Sequence, residues 1–106
     1  MTEAELTRAV IELAQHLNYR VAHFRPAQNA RGDWRTPVAG DGKGFPDLTL
    51  VGSRVLFAEL KAGKGRLRPE QLDWRDWILA AGGEWHLWTE TDWMAGTVEA
   101  VLRREA

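Results

Sequence analysis

Two strand-like runs constrain this chain most: Asp47–Val51 and Arg54–Lys61, parted by Gly52-Ser53. Such runs around a glycine-containing break read as strands joined in a tight antiparallel hairpin. Side chains alternate along a strand, so Val55, Phe57, Glu59 and Lys61 share one side of the second run, and Leu56, Ala58 and Leu60 share the other. One side of this strand therefore carries an acid and a base two residues apart.

The flanking sequence supplies covering elements. Leu6, Ala9, Val10, Leu13 and Leu17 recur at helical spacing over Glu3–Leu17, with Thr2 and Glu5 spaced as a capping box. Tyr19–Phe24 turns strand-like until Pro26, and a polar loop follows to about Gly44. A loop of that length in a small domain points to function or mobility, which makes Arg31, Trp34, Arg35 and Lys43 candidates for substrate contact. Pro69 and Glu70 open a second helix that runs to Ala81, is stopped by Gly82-Gly83, and draws its buried side from Leu72, Ile78 and Leu79. Glu84–Thr89 reads as a further strand, and a last helix runs from about Asp92 to Arg104. The order is αβββαβα: an α/β fold with a mixed central sheet flanked by helices in a single domain over residues 1–106.

Composition narrows the chemistry. There is no cysteine, which removes disulfides, thiolate metal sites and cysteine nucleophiles and leaves carboxylates and three histidines as possible ligands. Any metal is then expected to be hard and oxygen-loving. No apolar stretch is long enough to span a bilayer and no secretory signal precedes the first helix, so the expectation is a soluble, cytoplasmic protein. The formal charge is only -1, yet from Arg20 to Arg68 ten basic side chains face only Asp33, Asp41, Asp47 and Glu59. Lys64, Arg66 and Arg68 crowd into one loop, whose expected use is contact with nucleic acid.

Hairpin pairing can bring Asp47, directly after Pro46, beside Glu59. Two adjacent carboxylates repel and must shed water if enclosed, a conflict that a divalent cation resolves. Mg2+ or Mn2+ would take oxygens from Asp47 and Glu59, with the Leu60 carbonyl, waters and a substrate phosphate completing the shell. Lys61 would orient or deprotonate an attacking water, or stabilise charge developing on the phosphate.

Phe45-Pro46-Asp47 followed by Phe57-Ala58-Glu59-Leu60-Lys61, with a helix ahead of both, resembles the PD-(D/E)XK nuclease superfamily. Gly44-Phe45-Pro46-Asp47-Leu48, then Glu59-Leu60-Lys61, then Leu67, Gln71 and Gly82-Gly83 look like its VRR-NUC family, over nearly the whole chain. The resemblance implies a restriction-endonuclease-like core, a Mg2+- or Mn2+-dependent endonuclease acting on branched DNA such as Holliday junctions, and catalytic roles for Asp47, Glu59 and Lys61. It also implies an acid from the first helix. Glu5 is the best placed, with Glu12 on the same edge and Glu3 a weaker choice; the alternative for Glu5 is the capping box alone. Gln71 stands where the family pattern has a glutamine, to bind a phosphate, to brace the lysine, or simply as a solvated helix residue.

His23, on the first strand, is expected near the metal site, whereas His16 and His86 lack a second histidine at zinc-like spacing and read as structural. Trp74, Trp77, Trp85 and Trp88 exceed what so small a core hides, which suggests a self-association surface, with Trp85 a core residue by default. Gly63-Lys64-Gly65 lacks the spacing of a phosphate-cradling P-loop. A homodimer is expected because one site on so small a domain cuts one strand at a time. Two other readings stay open: a non-catalytic nucleic-acid-binding module of the same fold, and a sequence-specific restriction-type endonuclease acting on duplex DNA.

Overall fold

A computed structural model describes residues 1–24, 27–28, 30–32, 34–35 and 38–104, with only the backbone of 27–28 and 34–35. Helix α1 spans Glu3–His16 and begins where Thr2 Oγ1 accepts from Glu5 N–H while Glu5 Oε1 accepts from Thr2 N–H, a complete capping box. Strand β1 follows at Arg20–His23. Two-residue strands β2 (Ala27–Gln28) and β3 (Trp34–Arg35) then pair as a short hairpin within the stretch expected to be a loop. Strands β4 (Leu48–Val51) and β5 (Val55–Lys61) form the expected antiparallel hairpin. At its turn Gly52 lies against the Tyr19 ring, where a Cβ would come within 2.9 Å of the ring carbons.

Helix α2 (Pro69–Ala80) ends before Gly82, whose φ of 83° suits glycine. Strand β6 (Glu84–Thr89) pairs parallel with β5, and α2 serves as the crossover such a pair requires. The single last helix expected from the sequence is two helices, α3 (Glu90–Met94) and α4 (Thr97–Arg103). Thr89 caps the first of these, so it begins earlier than expected, and Gly96 at φ 80° breaks the run between them. The sheet order is β1-β4-β5-β6, mixed as expected. Among the described residues no helix is long and apolar enough to cross a membrane.

Alternation in β5 sorts the two faces. Leu56, Ala58 and Leu60 are fully buried with Leu48 and Leu50 against Leu6, Val10 and Ala14 of α1 and Val98 and Leu102 of α4. On the other face Phe57 meets Phe45 edge-on at 5.9 Å, and Phe45 meets Trp74 of α2 at 5.0 Å. Trp88 is core, whereas Trp77 is 71% exposed and Leu79, expected on the buried side of α2, faces solvent.

The end of the sheet where β5 begins is held by Arg54. All five of its N–H donors are used: Nε and Nη2 on Glu84, Nη1 on Tyr19 Oη and the Arg104 carbonyl, and Nη2 also on the Val101 carbonyl. Two of those carbonyls belong to the end of α4, so the guanidinium also caps that helix. Burial would raise the Glu84 carboxyl, but hydrogen bonds from Arg54 and His86 bring it down to about 2. Arg54, counted with the basic segment in the sequence, is therefore a structural residue at the pole away from Glu59 and Lys61.

Candidate active site

The site forms where β4 and β5 part. Their backbone ladder ends at Leu48↔Ala58, and one residue further on side chains take over. Glu59 Oε1 accepts from Asp47 N–H at 2.9 Å, and Asp47 Oδ2 accepts from Leu60 N–H at 2.9 Å. Asp47 stays with β1 instead, its carbonyl accepting from Phe24 N–H. Each carboxylate thus satisfies a backbone donor that the parted strands would leave unpaired. Fully buried Pro46 precedes Asp47, and Gly44 holds this approach tightly on α2, where a Cβ would fall about 2.5 Å from the Glu70 backbone.

Glu59 is 1% exposed and Gln71 is 5% exposed. Gln71 Nε2 donates to Glu59 Oε2 at 2.7 Å, while Gln71 Oε1 accepts from Arg68 N–H at 2.8 Å. Arg68 has no acceptor to return, so the glutamine alone closes the N-terminus of α2. Because its oxygen is committed to Arg68 N–H, its amide nitrogen is the atom that faces Glu59. Of the roles foreseen for Gln71, the geometry provides a carboxylate brace: the bond goes to Glu59, not to Lys61.

Burial, and then the negative charge of Asp47, push the Glu59 carboxyl up to about 8. Burial also raises Asp47, with the Leu60 N–H pulling the other way. Lys61 lowers both and Glu3 raises both, so these two side chains lie within electrostatic reach of the pair. The pair is short of positive charge. Each of the three engaged oxygens accepts one N–H and keeps a second lone pair, so the donor set fits an oxygen-seeking divalent cation that completes its shell with backbone carbonyl, water and substrate oxygens. Among the described residues no three histidine, cysteine or acidic side chains stand together as a metal site.

Asp47 also opens onto a cleft of about 540 Å³ that runs along the first turns of α1. Glu3, Arg8 and Glu12 line the helix side over Ala4, Thr7 and Ile11, and His23 stands with Asp47. Of the helix acids, the structure turns Glu3 and Glu12 to the cleft and leaves Glu5 in its capping box. Thr2 N–H and hydroxyl hold the Glu5 carboxyl below the usual range. The signal for Glu3 was present in the sequence: Glu3, Thr7 and Ile11 recur at helical spacing beside the buried stripe Leu6, Val10 and Ala14.

The described basic candidates lie in loops. The loop between Lys61 and Pro69 carries exposed Lys64, Arg66 and Arg68, and Gly65 packs against the Lys61 stem, with a Cβ position 3.4 Å from Lys61 Cδ. Exposed Lys43 precedes Gly44, and exposed Arg31 lies in the turn between β2 and β3. The side chain of Arg35 falls outside the described residues. His16 is exposed near the end of α1, and His86 stacks on Trp88 and bonds Glu84 at 2.7 Å, both apart from the site.

No family model, curated protein or solved structure matches this chain. The functional reading therefore rests on the residues and geometry above.

Proposed function

We propose that the chain is a Mg2+- or Mn2+-dependent endonuclease of PD-(D/E)XK type, similar to the VRR-NUC family, which hydrolyses DNA phosphodiesters with a preference for branched structures. The observation that carries this reading is the pairing of buried Glu59 with partly buried Asp47 at the parting of β4 and β5, short of positive charge and beside Lys61. A purely structural acid pair would be expected to have a saturating cationic partner, as Glu84 has in Arg54.

Asp47, Glu59 and the Leu60 carbonyl would hold the cation, which when bound supplies Lewis acidity toward water and neutralises phosphate charge. The chain's own groups do the rest. Gln71 holds Glu59 in one orientation, so the carboxylates are set before substrate arrives. Lys43, Lys64, Arg66 and Arg68 draw in the phosphate backbone and fix its register, a contribution that carries no sequence information. Lys61 meets the scissile phosphate, where its ammonium offsets charge developing in the transition state or its amine takes a proton from the attacking water. A second copy of the chain would bring a second site for the opposite strand. Light scattering at twice the chain mass, free and DNA-bound, tests that part.

The deciding experiment is cleavage of labelled four-way junction, flap, duplex and single-stranded DNA with Mg2+, Mn2+ or EDTA, for the natural chain and Lys61→Ala. The expected result is metal-dependent cutting of branched DNA, lowered by roughly 10²–10⁴-fold in Lys61→Ala. Binding without cutting in any condition would replace this reading with a non-catalytic module, and fixed cut positions on linear duplex would favour a restriction-type enzyme.

A further inference from the structure

Helices α1 and α3 each begin on a threonine whose hydroxyl accepts a backbone N–H of the first turn, Thr2 from Glu5 and Thr89 from Asp92. Helix α2 has the same spacing in Arg68 and Gln71, but an arginine stands in the capping place. Its side chain makes no cap bond, because a guanidinium has no acceptor, and its charge sits at the positive end of the helix dipole. Short polar residues are preferred there, so the arginine costs α2 stability. Local rules of this kind are broken chiefly where a residue serves function.

The contacts of Arg68 point to what it serves. Arg68 N–H donates to Gln71 Oε1 at 2.8 Å and Gln71 Nε2 donates to Glu59 Oε2 at 2.7 Å, so one side chain separates the root of Arg68 from the carboxylate pair. The Arg68 charge also reaches Asp47, whose carboxyl it pulls down against burial. Glu70 stands 3.4 Å from Nε, the one ion pair of this guanidinium among the described residues. Both terminal nitrogens, Nη1 and Nη2, are left for a ligand on a side chain that is 63% exposed. A planar pair of donors matches the oxygens of a phosphate, which it holds by two parallel bonds.

We infer that Arg68 is a further catalytic residue of the nuclease, its two Nη groups gripping the non-bridging oxygens of the scissile phosphate. The inference rests on the nuclease reading and extends it. During hydrolysis the water oxygen bonds to phosphorus and the bond to the leaving sugar oxygen breaks. One proton passes from the water to the Lys61 amine or to solvent, and solvent returns one to the leaving oxygen. Arg68 exchanges no proton. Its bonds strengthen as charge gathers on the non-bridging oxygens, so its effect belongs to kcat.

The first test needs no cutting. Arginine side-chain 15N spectra of the full chain are recorded with Ca2+ in place of Mg2+ while a short four-way junction is added in excess. The signal that is missing from Arg68→Gln is expected to shift, and if it stays in place the proposal is overturned, whatever else moves. The second test is steady-state cleavage of branched DNA with Mg2+. Arg68→Gln and Arg68→Ser are expected to lower kcat by about a hundredfold and to change KM by only about threefold or less, whereas the loss in Arg66→Gln falls on KM. Arg68→Ser also restores the cap that Thr2 and Thr89 provide elsewhere, and is expected to melt about 4 °C higher while cutting more slowly. A lower melting temperature in Arg68→Ser would make the arginine structural and overturn the proposal. A loss confined to KM in Arg68→Gln overturns it too, and leaves the nuclease reading standing. Failure of the natural chain to cut any DNA overturns the nuclease reading, and the arginine spectra then decide whether Arg68 holds a phosphate.

Discussion

The two ends of β5 treat buried charge in opposite ways. Where the strand begins, Arg54 spends every donor on Glu84, Tyr19 and the carbonyls of Val101 and Arg104, and Glu84 is held at about 2. Where it ends, Asp47 and Glu59 share two backbone donors and one glutamine amide, and Glu59 is held at about 8. Both clusters join elements far apart in sequence. Only the first is electrically complete, and completeness is what a structural cluster requires, since an unpaired buried charge costs several kcal/mol.

The sharpest way to break this contrast is to remove one acid from the far end. Glu59→Ala is expected to lower metal-dependent cleavage by about a hundredfold or more and to abolish the stabilisation that Mg2+ gives in thermal melts. Retained cleavage would mean that the pair is structural after all. At the near end Arg54→Met should cost about 3 kcal/mol in urea unfolding, because Glu84 and two carbonyls lose their donor together. Its cleavage rate should be unchanged under conditions where the variant is folded.

The pH dependence sharpens the contrast further, because the two acids have opposite signs. Glu59 binds its proton more tightly folded than unfolded, so metal-free stability contributed by this group is present below about 4.5 and is lost as pH rises through about 8. Glu84 binds its proton less tightly folded, so its contribution is present above about 4.5 and is lost as pH falls through about 2. Urea unfolding in EDTA should therefore show stability declining from pH 5 to 8, with Mg2+ flattening that decline. A decline that Mg2+ does not alter would dissociate Glu59 from metal binding. The smallest effect is at the helix cap: Thr2→Ala should cost about 1 kcal/mol through α1, with cleavage by the folded variant kept. Paired with it, Glu3→Gln should reduce cleavage and Glu5→Gln should not, measured with branched DNA and Mg2+.

Much of the fold was legible because it is local. The alternation of Val55–Lys61, the break at Gly52-Ser53, the Thr2–Glu5 box and the start at Pro69 each depend on neighbours a few residues away. Strand Glu84–Thr89 has the bounds its residues suggested. The division of the last helix is not legible in its periodicity, because it rests on the Thr89–Asp92 cap, which starts α3 before the expected residue, and on Gly96, whose positive φ breaks the run. The loop from Ala27 to Lys43 hid a two-residue hairpin too short to leave a periodic signal.

The site divides along the same line. Sequence by itself set Glu59 and Lys61 on one face of one strand and put Asp47 within hairpin reach, since strand period and turn position follow from residue order. Tertiary structure alone decided that, where β4 and β5 part, Glu59 accepts from Asp47 N–H and Asp47 from Leu60 N–H. It also decided that Gln71 braces Glu59, that Glu3 and not Glu5 faces the cleft, and that Arg54 serves the fold. Each of those outcomes depends on where a second element comes to rest against the first. That is fixed by burial of a core drawn from α1, α4 and the sheet, which no short stretch of the chain contains.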